Sequence, residues 1–98
     1  MGNDFNVIKE KVAQSRLVLE RDFSVKKIGI FGSVAKGFSR DGSDVDFLVE
    51  FGKPIGLFRF EGLRLFLEQC LKRKVDLATP RALKPFVREE IMNSVIYL

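Results

Sequence analysis

Residues 28–51 read IGIFGSVAKGFSRDGSDVDFLVEF, which is two strand-like segments separated by a glycine-containing turn and a polar loop. The second segment, residues 44–51, alternates strictly, with apolar side chains at every other position. This alternation predicts a strand with one face in the core. Asp44 and Asp46 share the opposite face, about 7 Å apart along the strand. Two like charges so close are unfavourable unless a cation lies between them, and a divalent cation is the usual solution.

The turn just before this strand contains Gly32, Ser33 and Gly37. Bare glycine backbone can approach a phosphate closely, and Ser33 suits the N-cap of a short helix with outward-facing N–H groups. Taken alone, the turn fits a connection that binds nothing equally well. It is not a P-loop, because Phe38 stands where that motif has its lysine.

A third carboxylate, Asp76, interrupts the short apolar strand predicted at residues 74–78. Each acid also has an ordinary interpretation when seen alone. Asp44 and Asp46 would suit a solvent-exposed edge strand, and Asp76 would suit an ion pair with the neighbouring basic residues. If the two strands are neighbours, the three acids converge, and such a cluster is typical of two-metal nucleotidyl transfer.

Composition narrows the chemistry further. The chain has no histidine, which excludes Ser-His-Asp and Cys-His catalysis and Cys/His zinc sites within it. Its single cysteine, Cys70, forms no internal disulfide, and no apolar run is long enough for a membrane span, so we expect a cytoplasmic protein. The net charge of +4 is too modest and dispersed to predict direct nucleic-acid binding.

The remaining patterns complete the predicted fold. Amphipathic helices are predicted over residues 3–21 and 57–72 and again after Pro85, and a first strand is predicted over residues 25–31. The sequence therefore predicts an α+β fold, with a small mixed sheet backed by helices, forming a single domain over residues 1–98.

The motif G-S-x₁₀-D-x-D, followed by KVDLATPRALKP, resembles the minimal nucleotidyltransferase family of the DNA polymerase β-like superfamily. The resemblance covers most of the chain. It implies a polymerase β-like nucleotidyltransferase fold and an enzyme that uses ATP and two Mg²⁺ ions. It also implies a nucleotide-binding set and a set of catalytic metal ligands: Gly32, Ser33, Lys36 and Ser43 for the nucleotide, and Asp44, Asp46 and Asp76 for the metals.

One position departs from the family pattern. Family members commonly carry arginine where this chain has Lys36. Lysine keeps the positive charge of arginine but lacks its bidentate fork. The expected contribution of this position to phosphate binding is therefore that of a point charge.

The resemblance also extends to the antitoxin half of HEPN/MNT toxin–antitoxin pairs. It implies transfer of AMP from ATP to a tyrosine hydroxyl of a partner HEPN toxin. No second domain is expected to hold the acceptor, which favours an acceptor delivered by a separate protein. Two alternatives remain open, namely a binding module that neutralises a toxin by occlusion and nucleotidyl transfer to a small-molecule acceptor.

Overall fold

A computed structural model of the chain describes residues 3–37 and 44–98. The described part consists mostly of helices alternating with strands. Its elements, in chain order, are α1 (Asn3–Gln14), α2 (Arg16–Phe23), β1 (Val25–Phe31), α3 (Gly32–Lys36), β2 (Val45–Phe51), α4 (Gly56–Leu71), β3 (Val75–Ala78), a 3₁₀ turn (Pro80–Ala82), α5 (Pro85–Ser94) and β4 (Ile96–Tyr97).

The strands form one mixed sheet in the order β3-β2-β1-β4. Strand β1 pairs antiparallel with both β2 and β4, whereas β2 and β3 run parallel. The predicted α+β class with a small mixed sheet is therefore confirmed for the described residues. Strand β1 has the predicted bounds, and β2 begins one residue later than predicted, at Val45.

The core lies between one face of this sheet and helices α1, α2 and α4. Three inward side chains of β2 are fully buried because the strand is central and its alternation points them at the helices, namely Val45, Phe47 and Val49. Residues from every layer meet in one apolar cluster: Ile8, Val12, Leu19, Val25, Ile28, Ile30, Val34, Val45, Phe47, Val49, Leu63, Leu67, Leu71 and Val75.

The N-terminal helical region is interrupted, although the sequence predicts a single helix over residues 3–21. The break lies at Ser15, whose N–H is shared between the carbonyls of Lys11 and Val12 at 3.2 and 3.1 Å. Such sharing tightens the last turn of α1. The helical direction resumes at once because the Ser15 carbonyl accepts the N–H of Leu19 at 3.0 Å. The apolar positions on both sides of the break still reach the core.

Helix α4 buries a stripe at four-residue spacing: Leu63, Leu67 and Leu71. Leu57, which the sequence places on this stripe, is instead 84% exposed. The reason is helical geometry, since six residues separate Leu57 from Leu63 and rotate it about 120° away from the buried face. None of the helices in residues 3–37 and 44–98 is both long and apolar enough to cross a membrane.

Strand β4 is an element that the sequence does not predict, since the terminal apolar residues read as the end of the last helix. It forms by pairing with β1, where Gly29 lies opposite Tyr97 and Ile30 lies opposite Ile96. The terminal chain packs closely on Gly29. A Cβ at that position would lie 2.7 Å from Val95 Cγ2 and 3.1 Å from the Ile96 carbonyl oxygen.

Replacing Gly29 with Ala is therefore expected to destabilise the fold by about 1–3 kcal/mol, the usual cost of an extra methyl group in a filled site. Urea denaturation measures this as a lower midpoint. Gly52→Ala is the matched control, because its added Cβ would meet nothing closer than the Ser24 carbonyl oxygen at 3.9 Å. Equal midpoints for the two variants would contradict the close packing of β4 on β1.

Candidate active site

The parallel pairing of β2 and β3 brings two of the predicted acids together. Asp46 and Asp76 are direct partners in the register of these strands. Partners in neighbouring strands project from the same face of a sheet, so the two carboxyl groups face the same region. Asp46 is half-buried, whereas Asp76 and the preceding Asp44 are exposed.

The surroundings of Asp46 raise its pKa above the ordinary value of 3.8. Burial is the main cause, because it penalises the charged form. Repulsion from Asp76 and then from Asp44 adds to the shift, and hydrogen bonding with Asp76 also favours the protonated acid. Asp46 therefore interacts electrostatically with both of the other acids.

On the β1 side of the site, the backbone of Gly32 lies against the carboxyl group of Asp46. Phe31, the last residue of β1, lies opposite Asp46, so the chain enters α3 directly beside this carboxyl group. Gly32 has φ = 74° in the left-handed region, and a Cβ there would overlap Oδ2 of Asp46. The close approach of backbone and carboxylate thus requires glycine at this position.

The other predicted nucleotide-binding residues lie on α3 or outside the described residues. Ser33 is half-buried in the first turn of α3, and Lys36 is exposed at its last position. The short helix forms as predicted, but Ser33 does not cap it, since the N-cap position is Phe31 with extended backbone. Ser43 lies outside the described residues.

The donor chemistry of the cluster suits a hard divalent cation. Carboxylate oxygens are the ligands that Mg²⁺ prefers, and a like-charge cluster gains most from a cation. In the described part of the chain, no salt bridge joins Asp44, Asp46 or Asp76 to a basic residue. Within those same ranges, no group of three or more Asp, Glu, Cys or His side chains is arranged so that it could coordinate one metal ion. The three-carboxylate metal site therefore stays a prediction.

Helix α4 contributes two side chains that the sequence assigns no role. Glu68 accepts a hydrogen bond from the backbone N–H of Val75, the residue before Asp76, at 2.9 Å. Arg64 contacts Glu68 and also interacts electrostatically with Asp76. The only signal in the sequence is their i, i+4 spacing, which equally describes an ordinary surface ion pair on a helix.

Comparison with known proteins places this arrangement in context. Residues 12–98 match the nucleotidyltransferase domain family. The chain is 35% identical over 92 residues to MJ1217 of Methanocaldococcus jannaschii, a candidate protein adenylyltransferase, covering 93% of this chain and 94% of that protein. It is 36% identical over 80 residues to the protein adenylyltransferase MntA of Thermococcus cleftensis, covering 82% and 81% of the two chains.

Solved structures show the same fold. A candidate minimal nucleotidyltransferase superposes with a TM-score of 0.76 at 33% identity, covering 93% of this chain and 95% of that one. A toxin–antitoxin structure with AMP-PNP gives a TM-score of 0.70 at 22% identity, covering 86% and 69%. A tri-AMPylated Shewanella oneidensis HEPN toxin in complex with MNT antitoxin gives 0.67 at 19% identity, covering 95% and 70%.

Proposed function

This chain belongs to the nucleotidyltransferase domain family, and we propose that it transfers AMP from ATP to a tyrosine hydroxyl of a HEPN-type toxin, so acting as an antitoxin. Its relatives named protein adenylyltransferases make it an adenylyltransferase enzyme, as the sequence predicts. The observation that carries the proposal is the pairing of Asp46 with Asp76 beside the backbone of Gly32.

On the nucleotide side, we assign Gly32, Ser33, Lys36 and Ser43 to the phosphates of ATP. The first N–H groups of α3 have no acceptor within the helix, so they are available to phosphate oxygens. Lys36, at the exposed end of the same helix, adds a positive charge. Phosphates bound there would be repelled by the Asp44 and Asp46 carboxylates unless a cation lay between them.

Bound Mg²⁺ would neutralise the developing charge on the transferred phosphoryl group and on the leaving pyrophosphate. Asp44, Asp46 and Asp76 would hold two such ions. The tyrosine oxygen forms a bond to the α-phosphorus of ATP, and the bond from that phosphorus to the bridging oxygen of the β-phosphate breaks. Asp76, an exposed acid on the neighbouring strand β3, accepts the phenolic proton, and pyrophosphate leaves.

The choice of a HEPN-type protein as acceptor rests on the relatives. One curated relative is a protein adenylyltransferase named MntA, and its similarity covers most of both chains. A structural neighbour with the same fold is an MNT antitoxin bound to an AMPylated HEPN toxin. Protein substrates, rather than small molecules, are the common element of the curated names.

The test is to co-express the chain with a HEPN-type toxin and to measure AMP addition to toxin tyrosines by mass spectrometry. We expect Mg²⁺-dependent addition by the wild type and less than about one hundredth of that rate for Asp44→Asn, the loss typical of removing one group that stabilises transition-state charge. Cell growth under toxin expression provides a second readout. Neutralisation that survives unchanged in Asp44→Asn, without AMP addition, would replace the proposal with neutralisation by occlusion.

A further inference from the structure

The first residue of β3 needs a hydrogen-bond acceptor that the sheet does not supply. Strand β3 is at one edge of the described sheet, and its pairing with β2 begins where the Val45 N–H donates to the Lys74 carbonyl at 2.9 Å. The next residue, Val75, is only 2% exposed. A buried backbone N–H on the outer side of an edge strand is costly unless it finds a partner.

Glu68 is that partner. Its Oε2 accepts the Val75 N–H at 2.9 Å, from a position on α4 seven residues earlier in the chain. The same oxygen accepts a second hydrogen bond from Nη1 of Arg64 at 2.8 Å. Charge-assisted hydrogen bonds of this kind are about twice as strong as neutral ones. Strand β3 is therefore tied to helix α4 at its first residue.

Arg64 fixes the orientation of the Glu68 carboxylate. Its Nε donates to Oε1 of Glu61 at 2.9 Å, so the guanidinium is held on both sides along the helix. The side chains of Glu68 and Arg64 are 24% and 30% exposed, whereas that of Glu61 is 53% exposed. The pair of Glu68 and Arg64 is therefore partly shielded from solvent, and Glu61 is less so.

We propose that Glu68 is a positioning residue for Asp76. By accepting the Val75 N–H, Glu68 holds the start of β3 at the position along β2 that pairs Asp76 with Asp46. The effect on catalysis rests on the proposed function, whereas the effect on the position of β3 does not. Because Asp76 directly follows Val75, a shift of the strand start moves the third carboxylate relative to the other two. Misplacement of about 1 Å in such a constellation is enough to cost about a hundredfold in rate.

Two substitutions separate the hydrogen bond from the charge. Glu68→Gln loses the charge but keeps an acceptor oxygen at the same reach. Glu68→Asp keeps the charge but shortens the side chain by one methylene, so it no longer reaches the Val75 N–H. The matched control is Glu61→Gln, which alters the other carboxylate partner of Arg64 without a described contact to β3.

The experiment measures kcat and KM for ATP, the Mg²⁺ concentration for half-maximal rate, and amide hydrogen exchange at Val75 and Asp76. For Glu68→Asp we expect kcat to fall about 10–100-fold, as for groups that orient metal ligands. We also expect a raised Mg²⁺ requirement, a KM for ATP within about twofold of wild type because no ATP contact is touched, and faster exchange at Val75. Glu61→Gln should stay close to wild type, and Glu68→Gln, which keeps the acceptor but loses the charge assistance, should fall between wild type and Glu68→Asp.

A Glu68→Asp enzyme with wild-type kcat and wild-type exchange would overturn the proposal. So would an equal loss in Glu61→Gln, since that would assign the effect to Arg64 or to helix stability. If the wild type transfers no AMP, the proposed function fails, yet exchange at Val75 still decides whether Glu68 holds β3. Glu68→Gln guards against a folding artefact, because its retained acceptor keeps the strand start tied.

Discussion

Asp46→Asn is expected to lower the rate of AMP transfer at least about a thousandfold, because loss of metal-mediated charge stabilisation costs several kcal/mol and each 1.4 kcal/mol is about tenfold. Asp46 is central to the cluster, since it pairs with Asp76 across the strands and is also repelled by Asp44. The amide is nearly the same size as the carboxyl group, so the packing against Gly32 is retained. Activity is thus lost without loss of the fold.

The same substitution is expected to raise thermal stability at neutral pH. The folded-state pKa of Asp46 lies above its ordinary value of 3.8, so ionised Asp46 destabilises the fold. The wild type therefore has its full stability below pH 3.8, the ordinary pKa of Asp46. It loses part of that stability as pH rises through the raised pKa of Asp46 in the folded state. The gain in Asp46→Asn should be largest at neutral pH and should vanish below about pH 3.8, where the wild-type acid is protonated as well.

Scanning calorimetry across this pH range, with and without Mg²⁺, measures both effects. We expect a higher Tm for the variant than for the wild type at neutral pH without metal, because the variant lacks the charge whose pKa is raised by burial and by Asp76 and Asp44. Excess Mg²⁺ should raise the Tm of the wild type and leave that of the variant unchanged. Glu50→Gln, on the same strand and also half-buried, is the control and should show neither effect. A variant less stable than wild type at neutral pH would contradict the repulsive cluster.

The central elements of the fold are predictable from sequence because their signals are local. Strict alternation after Asp44 identifies β2, and the apolar run ending at Phe31 gives the bounds of β1 correctly. Strand β4 escapes prediction because it has only two residues, and its conformation comes from pairing with β1 rather than from any periodicity of its own. Ser15 interrupts the first helix through shared hydrogen bonds that no helix propensity encodes.

For the candidate site too, the local features are predictable from the sequence and the long-range contacts are not. The spacing of Asp44 and Asp46 places both on one face, which follows from strand geometry alone. The pairing of Asp46 with Asp76 depends on β3 running parallel beside β2, which the sequence offers only as one possible arrangement. The tie from Glu68 to Val75 depends on where the end of α4 lies against the sheet, and a one-dimensional pattern does not specify that distance.

Gly32→Ala is expected to lower AMP transfer at least about a hundredfold, because an error of about 1 Å in a reacting group has that cost. The new Cβ would overlap Oδ2 of Asp46, so either the carboxylate or the start of α3 must move. The left-handed backbone at this residue adds about 1–2 kcal/mol of strain for alanine. Both movements displace groups assigned here to the metal ions and the phosphates.

Gly56→Ala separates strain from displacement. Gly56 has the same φ of 74°, but a Cβ there would meet nothing within 4 Å. We expect both variants to lose stability in urea denaturation from the shared backbone strain, Gly32→Ala the more because of its overlap with Asp46, and only Gly32→Ala to lose activity. Because the overlap involves a carboxyl oxygen, the double variant Gly32→Ala with Asp46→Ala should be more stable than the sum of the single changes predicts. Strict additivity, or equal activity losses for the two glycine variants, would show that Gly32 serves only the backbone turn and not the placement of Asp46.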